Sequence, residues 1–216
     1  MGRKVPKMFL PLCGRPILYW TLFFLDRCPT IHRIVLAVPP EYRARVQRKI
    51  QNWKFDKVHA VVAGGQERAD STRNALRALP AGTIWVGIHD AARPFVSENL
   101  IRRVYQGARP TGCACLAVPS KDTVKLSQPS RPRIEKTLPR ARCWLAQTPQ
   151  VFRREIAEKI HRNSPRARFT DDASLAESKG YSVALVPGSY ENIKITTQED
   201  LSLAERILKS RRVDFR

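Results

Sequence analysis

The fold of this chain is decided by residues 84–96, Ile84-Trp-Val-Gly-Ile-His-Asp-Ala-Ala-Arg-Pro-Phe-Val96. The stretch opens as a short apolar run, which is typical of a strand buried on both faces of a sheet. It then changes at once to His89-Asp90, two alanines and Arg93. Ligands of open α/β sheets bind just beyond the carboxyl ends of the strands, where a carboxylate can hold a metal or a hydroxyl and an arginine can grip an anion. The stretch therefore predicts a strand that ends in a phosphate or nucleotide site.

Strands and helices alternate on both sides of this stretch. Apolar runs predict further strands at residues 33–38, 57–62, 113–118 and 181–186, and a short extended piece at 193–195. Helical spacing predicts helices at residues 17–25, 41–50, 97–104, 153–161, 172–178 and 198–208, and one through Leu76 that Asp70 or Ser71 caps. This alternation predicts an α/β fold with a doubly wound, mostly parallel sheet.

The alternation stops between residues 119 and 142. This stretch contains Pro119, Pro129, Pro132 and Pro139 and short alternating pieces. We expect one domain over residues 1–216, with a projecting β-arm at about 119–142 of the kind that often serves dimerisation. A long surface loop is the alternative interpretation.

The charge of the chain favours anionic partners. Lys and Arg number 39 against 19 Asp and Glu, which gives a formal net charge of +20. Such a balance suits nucleotides, sugar phosphates, nucleic acid or an acidic membrane surface. The basic residues are spread through every segment and form no long basic tail, so most of them are expected to be solvated surface residues.

The cysteines indicate a reducing compartment. There are five, with no C-x-x-C pair. Buried structural thiols are therefore expected rather than a zinc site or disulfides, and the expected location is the cytoplasm. No apolar run is long enough to span a membrane, and no secretory signal is evident at Met1.

Two segments besides the Ile84 stretch have the composition of anion sites. Gly64-Gly65 precedes a helix that begins near Ser71, and paired glycines let a flat ligand approach the backbone while a helix start favours anions. A capped helix after a Gly-Gly turn is also common in proteins that bind nothing there. Thr170 precedes Asp171, for which helix capping is the simplest role, and the Thr170 hydroxyl can instead bind a phosphate.

Two lysines and a polar insert complete the candidate residues. Lys7 stands just before an apolar segment, and an ammonium there can oppose developing charge on a phosphoryl group or simply be solvated. Lys194 lies between Ile193 and Ile195 and so faces either solvent or a site. Gln147 and Thr148 interrupt an apolar run and are expected to satisfy buried backbone groups.

Taken in order, these segments resemble the 2-C-methyl-D-erythritol 4-phosphate cytidylyltransferase family. The matching motifs are PK-x-FL-x-L-x-G-x-PIL at 6–18, GG-x-ER-x-DS at 64–71, HDAARPFV at 89–96, P-x-x-DT-x-K at 119–125, QTPQ-x-F at 147–152, TDDAS at 170–174 and NIKIT at 192–196. The resemblance covers essentially the whole chain, and HDAARPFV together with QTPQ and NIKIT is a specific combination.

The resemblance implies a Rossmann-like nucleotidyltransferase that joins the CMP unit of CTP to a methylerythritol phosphate and releases pyrophosphate, with Mg²⁺. It implies catalytic roles for Lys7, Arg140 and Lys194, of which Arg140 is the less secure because Arg142 stands nearby. It also implies a set of binding residues: Asp90, Ala91, Arg93, Thr123 and Thr170 for the substrate, Gly64, Gly65, Gln66 and Ser71 for the nucleotide, and Asp90 as a tentative metal ligand.

The family's arm crosses a dimer partner, so a homodimer is expected in which Thr123 and Arg140 act in the neighbouring subunit's site. The sequence departs from the family pattern at Gln66 and Glu191, where the family commonly has acidic residues and aspartate respectively. The family also begins with an apolar strand and a glycine-rich loop that wraps the triphosphate, and Met1-Gly2 matches only the end of that pattern. A missing central strand would leave unpaired backbone groups on two neighbouring strands. The expectation is thus an N-terminally short version with little or no activity if the chain is complete as given.

Two other functions fit parts of the sequence. A ribitol 5-phosphate cytidylyltransferase shares this fold and most of these motifs. An inactive homologue could instead use the +20 charge to bind nucleic acid. The sequence has no basic patch interleaved with aromatic residues, which makes nucleic acid the less favoured partner.

Overall fold

The computed structural model of the chain describes residues 6–128, 131–162 and 169–211. The fold is α/β, as the alternation of strands and helices predicts. The helices are α1 (Ile17–Asp26), α2 (Arg43–Trp53), α3 (Arg68–Arg77), α4 (Glu98–Ala108), α5 (Arg154–His161), α6 (Asp172–Ser178) and α7 (Gln198–Ser210). The strands are β1 (Pro11–Leu12), β2 (Arg15–Pro16), β3 (Ile34–Val38), β4 (Val58–Ala63), β5 (Trp85–Ile88), β6 (Cys113–Pro119), β7 (Lys125–Gln128), β8 (Arg131–Thr137), β9 (Trp144–Arg153) and β10 (Ala184–Pro187).

A mixed four-stranded sheet forms the centre of the fold, in the order β10-β6-β9-β5. β10 and β6 are parallel, whereas β9 runs antiparallel to both β6 and β5. A second sheet consists of β3 and β4, which are parallel. The strands β10, β6 and β5 thus share one direction, which agrees with the mostly parallel sheet that the sequence predicts, and β9 runs between them in the opposite direction.

Most predicted elements are confirmed, and three are corrected. The run around Gln147 is not an isolated polar insert but part of β9. The piece at 193–195 forms no regular strand. The N-cap of helix α3 is Glu67, whose N–H donates to the Asp70 carboxylate at 3.3 Å, and not Asp70 or Ser71. A side chain that caps the helix must precede its first residue, and the helix begins three residues earlier than Ser71.

Each sheet is covered by helices through its own apolar cluster. Val104 and Ala108 of α4 pack against Leu116 of β6. Leu18 and Leu22 of α1 pack on the β3–β4 side, together with residues of β3 and α2. This packing supports β4 and β5, whose carboxyl ends carry the motifs singled out in the sequence.

Strands β3 and β5 each pair on one side only within the described residues. Ile34 donates its N–H to Lys57, and the Val38 carbonyl accepts from Gly64, so these alternate residues of β3 face β4. Val35 and Ala37 point the other way, and no ladder covers them in the described part of the chain. In β5 the Ile84 carbonyl accepts from the Arg154 N–H. The backbone N–H groups of Trp85 and Gly87 therefore point away from β9. The described residues thus contain two strands that each have one open edge.

The arm is a β-hairpin formed by β7 and β8, which pair with each other and with no other strand in the described ranges. Its described side chains are largely exposed. Residue Pro129, one of the prolines on which the arm was predicted, lies outside the described residues.

All five cysteines are free thiols. Cys28, Cys113 and Cys115 are buried, as the sequence predicts, whereas Cys13 and Cys143 are partly exposed. Searching the described residues reveals no helix with the length and apolar character needed to cross a membrane.

Candidate active site

Asp90 lies at the centre of a cluster of cationic side chains just beyond the end of β5. Its carboxylate is 2.9 Å from the Lys194 ammonium, 3.6 Å from Arg93 Nε and 3.9 Å from Arg68 Nε. Burial alone would raise the pKa of Asp90, but the hydrogen bond from Lys194 and the charges of Arg68 and Arg93 hold that pKa below its ordinary value. The carboxylate is therefore ionised, and the cluster carries a net positive charge that suits an anionic substrate.

Hydrogen bonds from β9 hold the strand end in place. The Asp90 N–H donates to Thr148 Oγ1 at 3.0 Å, so the Thr148 hydroxyl directs its own hydrogen to His89 Nδ1, also at 3.0 Å. His89 Nε2 then donates to the Arg93 carbonyl at 2.9 Å. The imidazole is neutral in this arrangement, because burial, the largest influence, lowers the pKa of His89 to about 4. The role predicted for Thr148, satisfying a buried backbone group, is confirmed.

Arg93 ties the strand end to the segment that carries Lys194. Its guanidinium donates to the carbonyls of Asn192 at 2.8 Å and Ala146 at 3.3 Å and is largely buried. The Ile195 N–H donates to the Ala92 carbonyl, which adds a second link. These bonds use one N–H of each Nη group, so Arg93 positions Asp90 and Lys194, and its contact with a substrate phosphate stays a prediction.

Lys194 is the cation of this cluster most open to solvent. Its side chain is 46% exposed, against 37% for Arg68 and 12% for Arg93. Of the two orientations left open by the sequence, solvent or a site, the side chain takes the one that faces Asp90. It can therefore contact Asp90 and a bound anion together.

The Gly64–Gly65 turn stands beside this cluster, at the start of α3. The Gly64 N–H donates to the Val38 carbonyl at 2.7 Å, and the Gly65 N–H donates to Ser71 Oγ at 3.0 Å. A Cβ at Gly65 would lie 2.1 Å from the Asp70 Cβ, so no larger residue fits there without moving the turn. Ser71 thus shapes the turn through its hydroxyl, while Gln66 is exposed at its tip.

Thr170 and Asp171 lie at the start of α6. Asp171 is the N-cap and accepts from the Ser174 N–H at 2.9 Å, as the simplest interpretation predicts. Gln150 of β9 donates to Asp171 at 2.7 Å and accepts from the Ala173 N–H at 2.8 Å. β9 therefore positions both the Asp90 strand end and α6, and Thr170 is exposed beside them.

The structure brings only some of the predicted site residues together. Asp90, Arg93 and Lys194 form one cluster, and Ala91 adjoins it, with its carbonyl accepting from Thr21 Oγ1 at 2.8 Å. The described residues show no contact from this cluster to three others. These are Lys7, exposed in a single 3₁₀ turn, Thr123, exposed at the base of the arm, and Arg140, which donates to the Lys121 carbonyl at 3.0 Å.

Arg68 is the site residue that the sequence interpretation missed. It was quoted only as part of the GG-x-ER-x-DS motif, yet its guanidinium lies within ion-pair distance of both Asp90 and Asp172. The signal available in the sequence was an arginine three residues after a Gly-Gly pair, combined with a second aspartate in TDDAS that capping does not explain.

The donor set does not fit a resident metal ion. The described residues contain no group of three or more His, Cys, Asp or Glu side chains that could hold one. Asp90 is a single carboxylate whose oxygens already face three cations. Mg²⁺ in proteins is commonly held by one or two carboxylates together with substrate phosphates. The assignment of Asp90 as a metal ligand therefore stays a prediction, in which Asp90 and the phosphates of a bound nucleotide would hold the ion together.

A sheet whose strand ends carry a cationic cluster beside a glycine turn defines an α/β protein with a site for an anionic ligand such as a nucleotide or a sugar phosphate. Comparison with known proteins narrows this class. The sequence pattern of the family described as 2-C-methyl-D-erythritol 4-phosphate cytidylyltransferase matches residues 1–210. The chain belongs to that family.

Individual relatives agree with this assignment. The chain is 44% identical over 215 residues to the 2-C-methyl-D-erythritol 4-phosphate cytidylyltransferase of Syntrophus aciditrophicus, with 96% of this chain and 92% of the relative covered. It is 45% identical over 211 residues to the bifunctional enzyme IspD/IspF of Desulforudis audaxviator, with 96% of this chain covered. The chain spans about half of that longer protein, 53% of its length.

A solved structure shares the fold. The crystal structure of 4-diphosphocytidyl-2C-methyl-D-erythritol synthase from Anaerococcus prevotii superposes with a TM-score of 0.84 at 30% sequence identity. The match covers 94% of this chain and 93% of the solved one.

Proposed function

We propose that this protein transfers the CMP unit of CTP to 2-C-methyl-D-erythritol 4-phosphate and releases pyrophosphate, a step of non-mevalonate isoprenoid biosynthesis. The observation that supports this most strongly is the Asp90–Lys194 ion pair of 2.9 Å at the strand end, next to the Gly64–Gly65 turn. Family membership supplies the nature of the two substrates.

In the proposed reaction an oxygen of the acceptor phosphate attacks the α-phosphorus of CTP. A new phosphorus–oxygen bond forms, the bond from the α-phosphorus to the oxygen bridging to the β-phosphorus breaks, and pyrophosphate leaves. Such a transfer requires little covalent work from the protein, so positioning and charge neutralisation carry the catalysis. In this proposal Lys194 opposes charge on the acceptor phosphate, and Asp90 holds Lys194 and a substrate hydroxyl.

The remaining assignments are part of the same proposal. The Gly64–Gly65 turn with Gln66 and Ser71 receives the cytosine, because paired glycines carry no side chain and let a flat ring approach the backbone. Thr170 contacts the acceptor phosphate, and Lys7 stabilises charge on the transferred group. Mg²⁺ would enter with the triphosphate oxygens rather than occupy a preformed protein site.

Phosphorus NMR of the purified protein with CTP and each candidate acceptor tests this function. We expect pyrophosphate to appear with CTP and 2-C-methyl-D-erythritol 4-phosphate, and chelation of Mg²⁺ to stop it. This result would overturn the expectation of little or no activity that was based on the start of the sequence. Faster pyrophosphate release with ribitol 5-phosphate would identify ribitol 5-phosphate as the acceptor in place of the methylerythritol phosphate. Salt-sensitive nucleic-acid binding without any CTP binding would contradict the proposal itself.

We also propose that the arm forms a homodimer in which Thr123 and Arg140 reach the partner's site. The supporting observation is apolar surface on both strands of the hairpin, with Ile134 66% and Leu126 44% exposed. Light scattering after size exclusion checks this: Ile134→Asp should yield monomers, whereas Leu203→Asp, at a similarly exposed position on α7, should not. A monomeric wild-type protein would refute the dimer.

The proposed location is a reducing cytoplasm. The free state of all five cysteines supports it.

A further inference from the structure

Two buried ionisable residues lie next to the site and take no part in the proposed reaction. His161 ends α5 and Asp172 begins α6, and each has a side chain only 1% exposed. His161 Nε2 lies 3.0 Å from one carboxylate oxygen of Asp172. Burial alone would raise the pKa of Asp172, but the hydrogen bond from His161 and the charge of Arg68 hold it below its ordinary value. Asp172 is therefore a buried anion that needs its partners.

The second partner of Asp172 is Arg68, which lies at the site. Arg68 Nη2 is 2.6 Å from the other carboxylate oxygen of Asp172, while Arg68 Nε is 3.9 Å from Asp90. Arg68 is the first residue of α3; it directly follows the N-cap Glu67 and comes three residues after Gly65. One guanidinium thus connects the nucleotide turn, the end of β5 and the start of α6.

Helix α3 is held against His161 at a second point. Arg73 Nε donates to the His161 carbonyl at 3.1 Å, and Arg73 also pairs with Asp70 at 3.3 Å. Two arginines of α3 therefore contact His161 or its buried partner from one side. A rotation or shift of α3 would break both contacts, so this arrangement determines where the glycine turn stands.

We propose that Arg68 is a positioning residue: anchored by the buried Asp172–His161 pair, it fixes the Gly64–Gly65 turn and Asp90 relative to α6. Its kinetic consequence rests on the proposed function, because the two halves of the site would hold the nucleotide and the acceptor. A guanidinium suits this role because its donors form a rigid fork that can face two carboxylates together. A lysine ammonium is a single point of charge and cannot do so at both distances.

The test combines four variants with a matched control. Arg68→Gln removes the bridge, Arg68→Lys keeps its charge, Asp172→Asn removes its anchor, and the Arg68→Gln/Asp172→Asn double variant leaves no unpaired buried charge. Glu158→Gln is the control, because it breaks the 2.7 Å Arg154–Glu158 pair on α5 outside the site. Two quantities are measured for each: the backbone amide chemical shifts of Gly65 and Asp90 without substrate, and kcat with KM for both substrates.

We expect Asp172→Asn and Arg68→Gln to move the Gly65 and Asp90 amide signals and to lower kcat at least tenfold. Asp172→Asn should cause no further loss in the Arg68→Gln background, because the anchor acts only through Arg68. Arg68→Lys should restore thermal stability but not kcat. Additive losses, full recovery of kcat by Arg68→Lys, or unchanged amide signals in Asp172→Asn would overturn the inference. If the wild type has no turnover, the proposed function fails, and the amide signals still decide the role of Arg68.

Discussion

Gly65 is the residue whose surroundings leave the least room for change. A methyl group there would meet the Asp70 Cβ at 2.1 Å. Relieving such an overlap in a packed turn costs about 1–3 kcal/mol. Gly65→Ala should therefore lower the free energy of unfolding by this amount and weaken binding of CTP, since the turn must move.

Chemical denaturation and calorimetric titration with CTP check the Gly65 prediction. Gly87→Ala is the matched control, because a Cβ at Gly87 makes only ordinary contacts, at 3.6 Å to Pro149 and 3.8 Å to Val151. The prediction is wrong if the two alanine variants lose the same stability.

His89 makes the stability of the protein depend on pH. Burial, its largest influence, lowers the pKa of His89 from 6.5 to about 4. Between pH 6.5 and 4 the His89 side chain is protonated in the unfolded chain and neutral in the folded protein. The contribution of His89 to the free energy of unfolding is therefore fully present above about pH 6.5 and is lost as the pH drops toward 4. A shift of this size corresponds to about 3 kcal/mol.

The His89 contribution is isolated by comparing the wild type with His89→Gln. A glutamine can donate to the Arg93 carbonyl and accept from Thr148 but does not titrate. The free energy of unfolding, measured in chelator from pH 7 to pH 4, should fall more steeply in the wild type. Parallel pH profiles would show that His89 is not held neutral.

At the scale of elements, the open edges of β3 and β5 are the unusual feature of the sheet. The N–H groups of Val35 and Ala37 in β3, and of Trp85 and Gly87 in β5, have no hydrogen-bond partner in the described part of the chain. Most buried N–H groups in proteins are paired. We expect these amides to exchange with deuterium at least about tenfold faster than Leu36 and Val86, which face a neighbouring strand.

Residue-resolved hydrogen exchange by NMR checks the open edges. Leu36 and Val86 serve as internal controls, because they belong to the same two strands and differ only in the direction of their N–H groups. Equal protection of all six amides would mean that both edges are paired.

The elements also show which parts of the fold a sequence can predict. The strand ending at His89 and the helix begun by Ser97 follow from local patterns, and Ser97 accepts from the Leu100 N–H as a cap should. The direction of β9 does not, because an antiparallel strand in the middle of a sheet depends on pairing with residues far away in sequence. For the same reason the sequence indicates only a polar insert at Gln147, Thr148 and Gln150. Their hydrogen-bond partners lie on other elements and cannot be identified locally.

In the candidate site, too, the sequence predicts what local motifs determine and misses what distant contacts determine. Asp90 and Lys194 each belong to a recognisable motif. The sequence did not predict their contact, because Lys194 could equally have faced solvent. Arg68 and His161 were not identified at all. Their roles depend on the buried carboxylate of Asp172, and nothing local in the sequence shows that this carboxylate lies between them.

For the molecule as a whole, the formal charge of +20 does not itself define the function. The site uses only a few of the 39 basic residues, and their effect depends on the geometry around one carboxylate. The central claim is therefore local: cytidylyl transfer takes place at the Asp90–Lys194 cluster.

Steady-state kinetics of Lys194→Ala test that claim most directly, with Lys209→Ala, an exposed lysine on α7, as the control. Removing a group that opposes charge in the transition state costs about 100-fold or more. We predict that kcat/KM for pyrophosphate release falls by at least this factor in Lys194→Ala and is unchanged in Lys209→Ala. A Lys194→Ala variant that turns over CTP as fast as an active wild type would contradict the account.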